Sequence, residues 1–394
     1  MKLLLIYTNM STEAETTERK RVALFSVAYR PFIGGAEVAV EETVKRLPQY
    51  EFDIFTARLD KKLPVSQQIG RANIHRLGTG HALWDKWLYP WRAARLASRL
   101  HHQNPYHLIH AVLETYAGLG AALFKKRVQG LPYVLTLQSG DSSAFMWLRT
   151  WFWYPLYRRV FTTASRITAI SNFLANRAKA HGYRGVIDII PNGVDTDHFS
   201  GRMNAEERVF IRKSWGMNEN DFIIVTASRL VPKNGIDILI DSLEHLGDDT
   251  RLVIAGSGED EVKLKERAVK FGQRVLFLGH IDHEQLPRVL KTADVFCRPS
   301  RSEGLGNVFL EAMAVGLAVV ATPVGGIVDI VKDNETGLLA QPANPASVAE
   351  KIQAIRADSA LRSRLVENGL RLSQSYGWDK IAAQYGLVYE EAAV

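Results

Sequence analysis

The sequence predicts an α/β protein of two domains, each built on a parallel sheet with helices on both faces. Apolar strand-like runs alternate with helix-length segments along the chain, as in sheets whose strands are joined by helical crossovers. The alternation stops at residues 196–220, which are charged and polar and carry no strand pattern, and then resumes. A chain of 394 residues is also too long for one ordinary core. We therefore expect a linker near the middle and one sheet on either side of it.

Most of the strands expected before the linker are continuously apolar, which is typical of strands covered on both faces. They are Val22–Ala28, Phe52–Ala57, Asn73–Leu77, Leu108–Leu113, Tyr133–Gln138, Arg166–Ser171 and Val186–Pro191. Segments of crossover length lie between them, at 36–47, 82–102, 117–128 and 172–181. The strands expected after the linker are Phe222–Arg229, Leu252–Gly256, Val275–Gly279, Val295–Pro299, Ala318–Pro323 and Gly337–Ala340.

These segments divide the chain into four parts. Residues 1–20 are expected to be a loosely attached leader, residues 21–198 the first domain and residues 199–375 the second. Residues 376–394 hold a helical pattern after the turn at Tyr376-Gly377, and we expect that helix to cross back onto the first domain. Ligand crevices of open α/β sheets lie at the carboxyl ends of the strands, so the active site should lie in the cleft between the sheets.

The composition is that of a soluble globular protein, with 46% hydrophobic residues and no apolar run of transmembrane length. The apolar run at the start of the sequence is too short for a signal-peptide core, so we expect a cytoplasmic protein. The single cysteine, Cys297, lies in an apolar run and is expected to be a buried structural thiol. Disulfides and cysteine metal sites are therefore excluded.

The positive charge is concentrated in the first half of the chain. Residues 1–200 hold 26 Lys and Arg against 15 Asp and Glu, while residues 201–394 hold 23 against 27. Six of the eight tryptophans also lie in the first half, and residues 147–159 mix aromatic side chains and arginine with no acid. An anionic membrane surface or a lipid-phosphate acceptor fits that mixture, and so does a core helix with arginines pointing to water. No nucleic-acid-binding motif appears.

Glu303 and Glu311 are the most informative pair of residues, because they bracket a glycine-rich turn that follows an apolar strand. The turn contains Gly304, Leu305, Gly306 and Asn307. Its glycines let a backbone approach a ligand, and the helix N-terminus that follows attracts phosphate. Each carboxylate can accept hydrogen bonds from paired hydroxyls of a sugar or a ribose.

Further candidate residues follow other predicted strands. Arg229 and Lys233 straddle a turn where two cations can hold the two phosphates of a nucleotide. Glycine pairs that can approach a phosphate or form an ordinary turn are Gly34 with Gly35, and Gly256 with Gly258, the latter followed by Glu259. His280 and Ile281 end a strand that can offer backbone groups to a base, and His280 is equally compatible with an ordinary surface position.

Common catalytic signatures are absent from the sequence. It contains no G-x-x-x-x-G-K-[ST], no H-E-x-x-H and no G-x-S-x-G, which argues against ATP hydrolysis, zinc proteolysis and serine esterase chemistry. The Gly256 motif lacks the third glycine of a dinucleotide fingerprint and an acid about twenty residues further on, which disfavours a dehydrogenase. The acidic pair Asp195 and Asp197 is interpreted as turn and linker chemistry rather than a metal site.

Five motifs in order resemble the retaining GT-B glycosyltransferases of the family 4 type, over nearly the whole chain from about residue 21. They are Gly34-Gly35-Ala36-Glu37, Asn192-Gly193-Val194-Asp195, Ser228-Arg229-Leu230 with Lys233 and Gly235, Gly256-Ser257-Gly258-Glu259, and Glu303-Gly304-Leu305-Gly306 with Glu311. The resemblance implies two Rossmann-like domains facing a central cleft. It also implies metal-independent, cofactor-free transfer of a sugar from a nucleoside-diphosphate donor with its anomeric configuration retained.

In that family, the counterpart of Glu303 contacts the donor sugar and the counterpart of Glu311 holds the ribose. Many relatives have a histidine after the strand Tyr133–Leu137, where this chain has Gln138, with Asp141 as the nearby carboxylate. Gln138 exchanges hydrogen bonds but does not titrate, which puts an acid–base role there in doubt. A second histidine of many relatives is also missing, and Glu114 is the candidate to face the acceptor instead.

The expected function is therefore transfer of a hexose, from GDP-mannose or a UDP-sugar, to a hydroxyl of a lipid-linked or polysaccharide acceptor. The basic, tryptophan-rich first domain suggests a peripheral position on the inner face of a membrane. Alternatives that the sequence leaves open are a sugar-nucleotide epimerase or a phosphorylase on the same fold, and a nucleotide-sugar binding protein without activity.

Overall fold

The computed structural model describes residues 19–32, 34–201 and 203–393, and the strands within them form two parallel sheets. The strands are β1 (Lys20–Phe25), β2 (Tyr50–Ala57), β3 (Ser66–Ile69), β4 (Ala72–Leu77), β5 (Leu108–Val112), β6 (Tyr133–Leu137), β7 (Arg166–Ala169), β8 (Ile187–Ile189), β9 (Phe222–Ala227), β10 (Thr250–Ala255), β11 (Val275–Gly279), β12 (Val295–Cys297), β13 (Ala318–Ala321) and β14 (Leu338–Leu339). The expected leader lies outside the described residues except for residues 19 and 20.

The helices supply the crossovers. They are α1 (Gly35–Arg46), α2 (Ala82–Gln103), α3 (Tyr116–Arg127), α4 (Ser143–Thr150), α5 (Tyr154–Thr162), α6 (Asn172–Ala180), α7 (Thr196–Ser200), α8 (Ala205–Ser214), α9 (Ile236–Ser242), α10 (Glu261–Ala268), α11 (Leu286–Thr292), α12 (Asn307–Ala314), α13 (Ile327–Ile330), α14 (Pro345–Ala357), α15 (Ser359–Ser375) and α16 (Trp378–Ala392). A short 3-10 helix, Trp151–Trp153, joins α4 to α5.

The first sheet has the strand order β3-β4-β2-β1-β5-β6-β7-β8, and the second β11-β10-β9-β12-β13-β14. The second is the strand order of a Rossmann sheet, in which the order of strand addition reverses between β9 and β12 while all strands stay parallel. All pairs are parallel except β3 with β4. Strand β9 is buried along its whole length, as its unbroken apolar sequence predicts. The predicted α/β fold with two parallel sheets is confirmed.

Two details differ from the sequence-based expectation. Several strands end earlier than expected, because their last residues already turn into the loops above the sheet, as Ser228 and Arg229 do after β9. Strand β3 was not predicted because its four residues are all exposed and carry no apolar pattern. The expected domain boundaries remain predictions, although the strands of the two sheets lie within 20–189 and 222–339.

The expected linker contains two helices, α7 and α8, rather than irregular chain. The carboxylate of Asp195 caps α7 and the amide oxygen of Asn204 caps α8, by accepting backbone N–H groups at 3.0 and 2.7 Å. Arg212 of α8 is buried and donates to Asp294 at 2.9 Å, just before β12. The charges of the linker thus fasten it to the second sheet, because a buried carboxylate requires a paired cation.

The last helix, α16, packs against α1 of the first sheet's layer. Buried Tyr389 places its hydroxyl 2.7 Å from Nδ1 of His110, which lies on β5. Burial lowers the pKa of His110 to about 3, so this histidine is neutral and bonded within the core. The thiol of Cys297 on β12 is also buried, and burial raises its pKa.

Exposed aromatic and leucine side chains lie on α2 and on the segment from α4 to α5, which line one shared groove, and we call this set the aromatic face. It comprises Leu83, Trp84, Trp87, Trp91, Phe145, Trp147, Leu148, Trp151, Phe152 and Leu156. Trp147, Trp151 and Phe152 are 64%, 59% and 69% exposed, whereas Tyr157 is buried. The stretch therefore combines an outward aromatic side with core residues. None of the described helices has both the length and the apolar character needed to cross a bilayer.

Candidate active site

A cavity of about 430 Å³ lies where the carboxyl ends of the two sheets face each other. Loops that follow β1, β6 and β8 form one wall, and loops that follow β9 and β12 form the other. The predicted site residues that line it are Gly34, Gly35, Gln138, Arg229, Lys233, Glu303, Leu305, Gly306, Asn307 and Glu311. The loops of both strands at the reversal of the second sheet, β9 and β12, contribute, as expected of a Rossmann ligand crevice.

A second cavity of about 250 Å³ adjoins the first along the second sheet. Gly256, His280 and Ile281 line it, and it shares Arg229 and Glu311 with the larger cavity. Gly256 has φ +138°, and a Cβ there would lie 1.9 Å from the carbonyl oxygen of Ser228. The glycine is therefore needed for the two loops to pack together at the edge of this cavity.

The two walls of the cleft touch at a pair of glycines. A Cβ on Gly140 would lie 2.7 Å from the backbone nitrogen of Gly304, so the loop after β6 has no room for a side chain at this point, and a Cβ on Gly304 would lie 3.3 Å from Gly140. The hydroxyl of Ser302 donates to the carbonyl of Gly140 at 2.8 Å beside this contact. The loop after β6 and the loop after β12 thus meet backbone to backbone, which places Gln138 and Glu303 in the same cavity.

Glu303 is held in position by a buried arginine that the sequence analysis did not select. The guanidinium of Arg298 donates to Oε2 of Glu303 and lies 4.8 Å above the ring centroid of Phe309. The other carboxylate oxygen, Oε1, accepts the backbone N–H of Gly304 at 2.9 Å. Two charge-assisted bonds fix the carboxylate in the cleft and leave lone pairs on both oxygens for hydroxyl groups.

Glu311 lies one turn inside α12 and is bonded to a histidine from another loop. Oε1 of Glu311 is 3.2 Å from Nε2 of His283. This bond raises the pKa of His283, and the charges of Asp195 and Glu42 act in the same direction against the effect of burial. His283 also stacks against the ring of His198, with centroids 5.7 Å apart. The pair therefore favours the protonated form of His283 beside the carboxylate expected to hold the ribose.

The two predicted phosphate-binding cations lie on one turn but have different surroundings. Nζ of Lys233 donates to Oδ1 of Asp141 at 3.1 Å, across the cleft from the second domain to the first. The carbonyl of Arg229 accepts the side-chain amide of Asn234 at 2.7 Å, which fixes the turn. Burial raises the pKa of Glu37 beside the glycine pair, while the charge of Arg229 opposes that rise. This turn thus places Arg229 and Lys233 in the cavity that Glu303 and Glu311 also line.

A side-chain amide joins the two walls above the glycine contact. Nδ2 of buried Asn192 donates to Oε1 of Gln138 at 3.3 Å and to Oδ1 of Asn307 at 3.4 Å. Gln138 comes from the first sheet and Asn307 begins α12 of the second. Gln138 therefore takes part in a network of neutral amides, whose groups exchange hydrogen bonds but not protons.

Five predicted residues do not line the cavities: Glu114, Gly258, Glu259, Asp141, whose carboxylate pairs with Lys233, and Gly304, which lies at the glycine contact. Glu114 is fully buried two residues after the central strand β5. Its Oε1 accepts a hydrogen bond from Arg177 at 3.1 Å, so it does not face an acceptor in the cleft. Glu259 is exposed beyond the smaller cavity, and Gly258 packs on the backbone of Leu230. His280, although it lines the smaller cavity, has an exposed side chain 3.4 Å from Asp282.

The structure adds three residues to the cavity lining, Asn192, His283 and Arg298, and places the carboxylate of Glu37 beside Gly34. Arg298 had a signal in the sequence, because a charge at the end of the apolar run Val295–Cys297 is unusual. Glu37 and Asn192 belong to motifs that drew attention for their glycines. His283 had no signal, since its partner Glu311 is distant in sequence. Among the described residues, no three His, Cys, Asp or Glu side chains are grouped so that they could hold a metal ion.

Two Rossmann-like sheets with a cleft between the carboxyl ends of their strands are the arrangement of the GT-B fold. Residues 33–198 match the family model of Glycosyltransferase Family 4, and residues 207–371 match that of Glycosyl transferases group 1. The chain belongs to the family 4 glycosyltransferases and is a transferase enzyme.

Individual relatives and structures agree with this assignment. An uncharacterized glycosyltransferase of Methanocaldococcus jannaschii is 28% identical over 94% of this chain and 98% of its own length. A GDP-mannose-dependent alpha-(1-6)-phosphatidylinositol monomannoside mannosyltransferase of Mycobacterium tuberculosis is 33% identical over 58% of this chain and 62% of its own. The crystal structure of HepE from Anabaena with UDP and glucose superposes with a TM-score of 0.77 at 20% identity, covering 95% of this chain and all of that one, which is evidence for the fold alone.

The His283–Glu311 pair predicts a pH-dependent stability. Because the pKa of His283 is raised above the ordinary 6.5, the stabilisation is complete below that pH and is lost as pH rises through the raised value. We expect His283→Gln to lower the melting temperature by about 2 °C near pH 6 and by much less near pH 9, since a partly exposed pair contributes little. Differential scanning fluorimetry at both pH values measures this.

The matched control is His280→Gln, which removes an exposed histidine from the neighbouring loop. It should change the melting temperature equally little at both pH values. An equal loss for His283→Gln at pH 6 and pH 9 would show that the histidine contributes through packing rather than through its charge.

Proposed function

We propose that this enzyme transfers a hexose from a nucleoside-diphosphate sugar to an acceptor hydroxyl, with retention of the anomeric configuration and without a metal ion. The observation that carries the proposal is the presence of Glu303, Glu311, Arg229 and Lys233 around one cavity between the sheets. Each of them follows a strand of the second sheet, so the donor would lie on that sheet and the acceptor would enter from the first.

The two adjoining cavities suit the two ends of such a donor. The base would occupy the smaller cavity beside Ile281, where it meets mainly backbone, and the ribose hydroxyls would bond to Glu311, which lines both cavities. His283 would remain beside Glu311 as its second partner. The sugar would lie in the larger cavity toward Glu303.

The diphosphate would lie between the two, on Arg229 and Lys233 and near the N-terminal amides of α12. Lys233 would exchange its bond with Asp141 for a bond with phosphate oxygen, which leaves Asp141 free to meet the acceptor. The two cations would neutralise the charge that grows on the departing diphosphate, and preorganised charge of this kind is usually the largest catalytic contribution.

In the proposed reaction, the bond from the anomeric carbon to the diphosphate oxygen breaks while the acceptor oxygen bonds to the same face of that carbon. The acceptor's proton passes to the departing phosphate oxygen. Glu303 would position the sugar through its hydroxyls and would not form a covalent intermediate. The neutral amide of Gln138 fits this scheme, because it orients a hydroxyl without exchanging a proton.

The donor is proposed to be GDP-mannose or a UDP-sugar, and the acceptor a lipid-linked or polysaccharide hydroxyl. Support comes from the relative that uses GDP-mannose on a phosphatidylinositol glycolipid and from the similar structure that binds UDP. An epimerase or a phosphorylase would use the same cleft, and so would a binding protein without activity. Release of nucleoside diphosphate only when an acceptor is present separates transfer from each of them.

We also propose that the enzyme is cytoplasmic and lies on the anionic inner face of a membrane. The aromatic face presents tryptophans that favour the headgroup region, and Lys86, Arg95, Arg149 and Arg158 lie on the same helices. The one acidic residue of these helices, Asp85, is buried and bonded to Arg92. The surface is therefore basic as well as aromatic.

Donor binding should depend on the two cations. Charge-assisted bonds to phosphate contribute about 1.5–3 kcal/mol each, so Arg229→Ala with Lys233→Ala should weaken binding of GDP or UDP about 100-fold or more. A thermal-shift screen of GDP, UDP, ADP and their sugars first identifies the nucleotide that stabilises the wild type, and calorimetry then compares the variants.

A double variant of exposed cations on the same domain, Lys263→Ala with Arg364→Ala, removes equal charge outside the cleft. It should bind the nucleotide as the wild type does. Unchanged affinity of the Arg229→Ala, Lys233→Ala variant would refute the diphosphate site.

Turnover should depend on Glu303. Removing a group that positions the sugar and supports the transition state should lower kcat about 100-fold or more in Glu303→Ala. Binding of the nucleoside diphosphate without its sugar should change little, because the carboxylate is assigned to the sugar. Glu303→Gln keeps the side-chain volume and tests the charge itself. Turnover like that of the wild type in both variants would contradict the proposal.

Membrane binding should depend on the aromatic face. Flotation with phosphatidylglycerol vesicles should carry the wild type, and vesicles of phosphatidylcholine should carry much less of it. Trp147→Glu with Trp151→Glu should lower the floated fraction at least fivefold, because two carboxylates would enter the headgroup region. Phe210→Glu on α8 is the control, since Phe210 is 70% exposed on another part of the molecule. Equal flotation of all three proteins would place the attachment elsewhere.

A further inference from the structure

A groove opens within the aromatic face, between α2, α3 and the segment that joins α4 to α5. It has a volume of about 170 Å³ and is lined mainly by apolar side chains: Trp87, Trp91, Leu119, Phe152, Trp153 and Leu156. Apolar cavities of roughly 150 Å³ are large enough to take up a benzene ring. The groove therefore has room for a short length of hydrocarbon. It shares no lining residue with the cleft between the sheets.

The mouth of the groove carries positive charge. Arg149 lines it and lies 5.6 Å from the ring centroid of Phe145. Among the described residues no acidic side chain pairs with Arg149, Arg158 or Arg159, and residues 142–163 contain no Asp or Glu. An apolar groove with an unpaired guanidinium at its edge suits a molecule that combines a hydrocarbon chain with a phosphate.

The groove is linked to the cleft through α4. This helix begins at Ser143, directly after Gly140 and Asp141 of the cleft, and its last turn supplies Arg149 and Thr150 to the groove. Its eight residues span about 12 Å. On the other side, Thr115 of the groove adjoins Glu114, whose partner Arg177 also donates to the carbonyl of Ser139 at 3.2 Å.

We propose that this groove binds the hydrocarbon chain of a lipid-linked acceptor, next to its phosphate. The inference rests on the proposed transfer to such an acceptor. With the chain between α2 and α5 and the phosphate at Arg149, the headgroup extends along α4 toward Gly140 and Asp141, where the donor sugar is exposed. The groove thereby selects acceptors by their lipid and sets the distance from the membrane surface to the reacting hydroxyl.

The test uses n-alkyl phosphates of four to twelve carbons with bromine on the terminal carbon, below their micelle-forming concentrations. Bromine quenches tryptophan fluorescence at short range, and Trp87, Trp91 and Trp153 line the groove. Affinity should increase about fourfold for each methylene until the groove is filled, and then level off. Absence of saturable quenching for any chain length in the wild type would overturn the proposal.

Two substitutions distinguish the groove from general adsorption on the aromatic face. Leu156→Glu places a carboxylate in the groove and should weaken binding of the decyl phosphate at least tenfold. Leu148→Glu places the same group on the aromatic face outside the groove, because Leu148 is 63% exposed and does not line it. Its affinity for the soluble probe should match that of the wild type. Equal losses in the two variants would overturn the groove.

Nucleotide binding, measured by thermal shift on the same proteins, separates this inference from the proposed function. Leu156→Glu should be stabilised by the donor nucleotide as strongly as the wild type, which also shows that it folds. Saturable chain binding without any nucleotide binding would support the groove while the transferase proposal failed. Nucleotide binding without chain binding would leave the transferase proposal standing and refute chain binding in the groove.

Discussion

The structure depends on one constraint, the backbone contact between Gly140 and Gly304. These glycines belong to different sheets, and their loops approach so closely that a single Cβ would collide with the opposite backbone. The contact brings the carboxyl ends of β6 and β12 together, and with them Gln138 and Glu303. Hydrogen bonds from Ser302 to Gly140, and from Asn192 to Gln138 and Asn307, join the same two walls beside this contact.

Around that contact lie two ion pairs that differ in burial. Arg298 holds Glu303 from below, where it is buried, while Lys233 and Asp141 pair across the open part of the cleft. The first pair is desolvated and fixes geometry, because separation would leave a buried charge. The second is partly exposed and costs less to separate. The cleft therefore combines a carboxylate fixed by a buried cation with a lysine whose ion pair is partly exposed.

The first domain has a core and an outer surface with different roles in the structure. Its core is closed by α16, whose Tyr389 bonds to a neutral His110, and its outer surface carries the aromatic face. One part of this face, the segment from α4 to α5, follows Asp141 closely in the sequence, and the other part lies on α2.

The sequence by itself determined the two parallel sheets, the order of the motifs and the residues that directly follow strands. It could do so because apolar periodicity and the position of a residue after a strand are local properties, and a ligand crevice forms at strand ends whatever the details of packing. Glu303, Glu311, Arg229 and Lys233 were found in this way.

Only the tertiary structure decided which side chains pair with them. Arg298, His283 and Asn192 act through partners on other loops, and Glu114 was misjudged because a carboxylate that directly follows a central strand can be buried behind the cleft as easily as exposed in it. Those choices depend on distances between segments far apart in the chain, which no local pattern encodes.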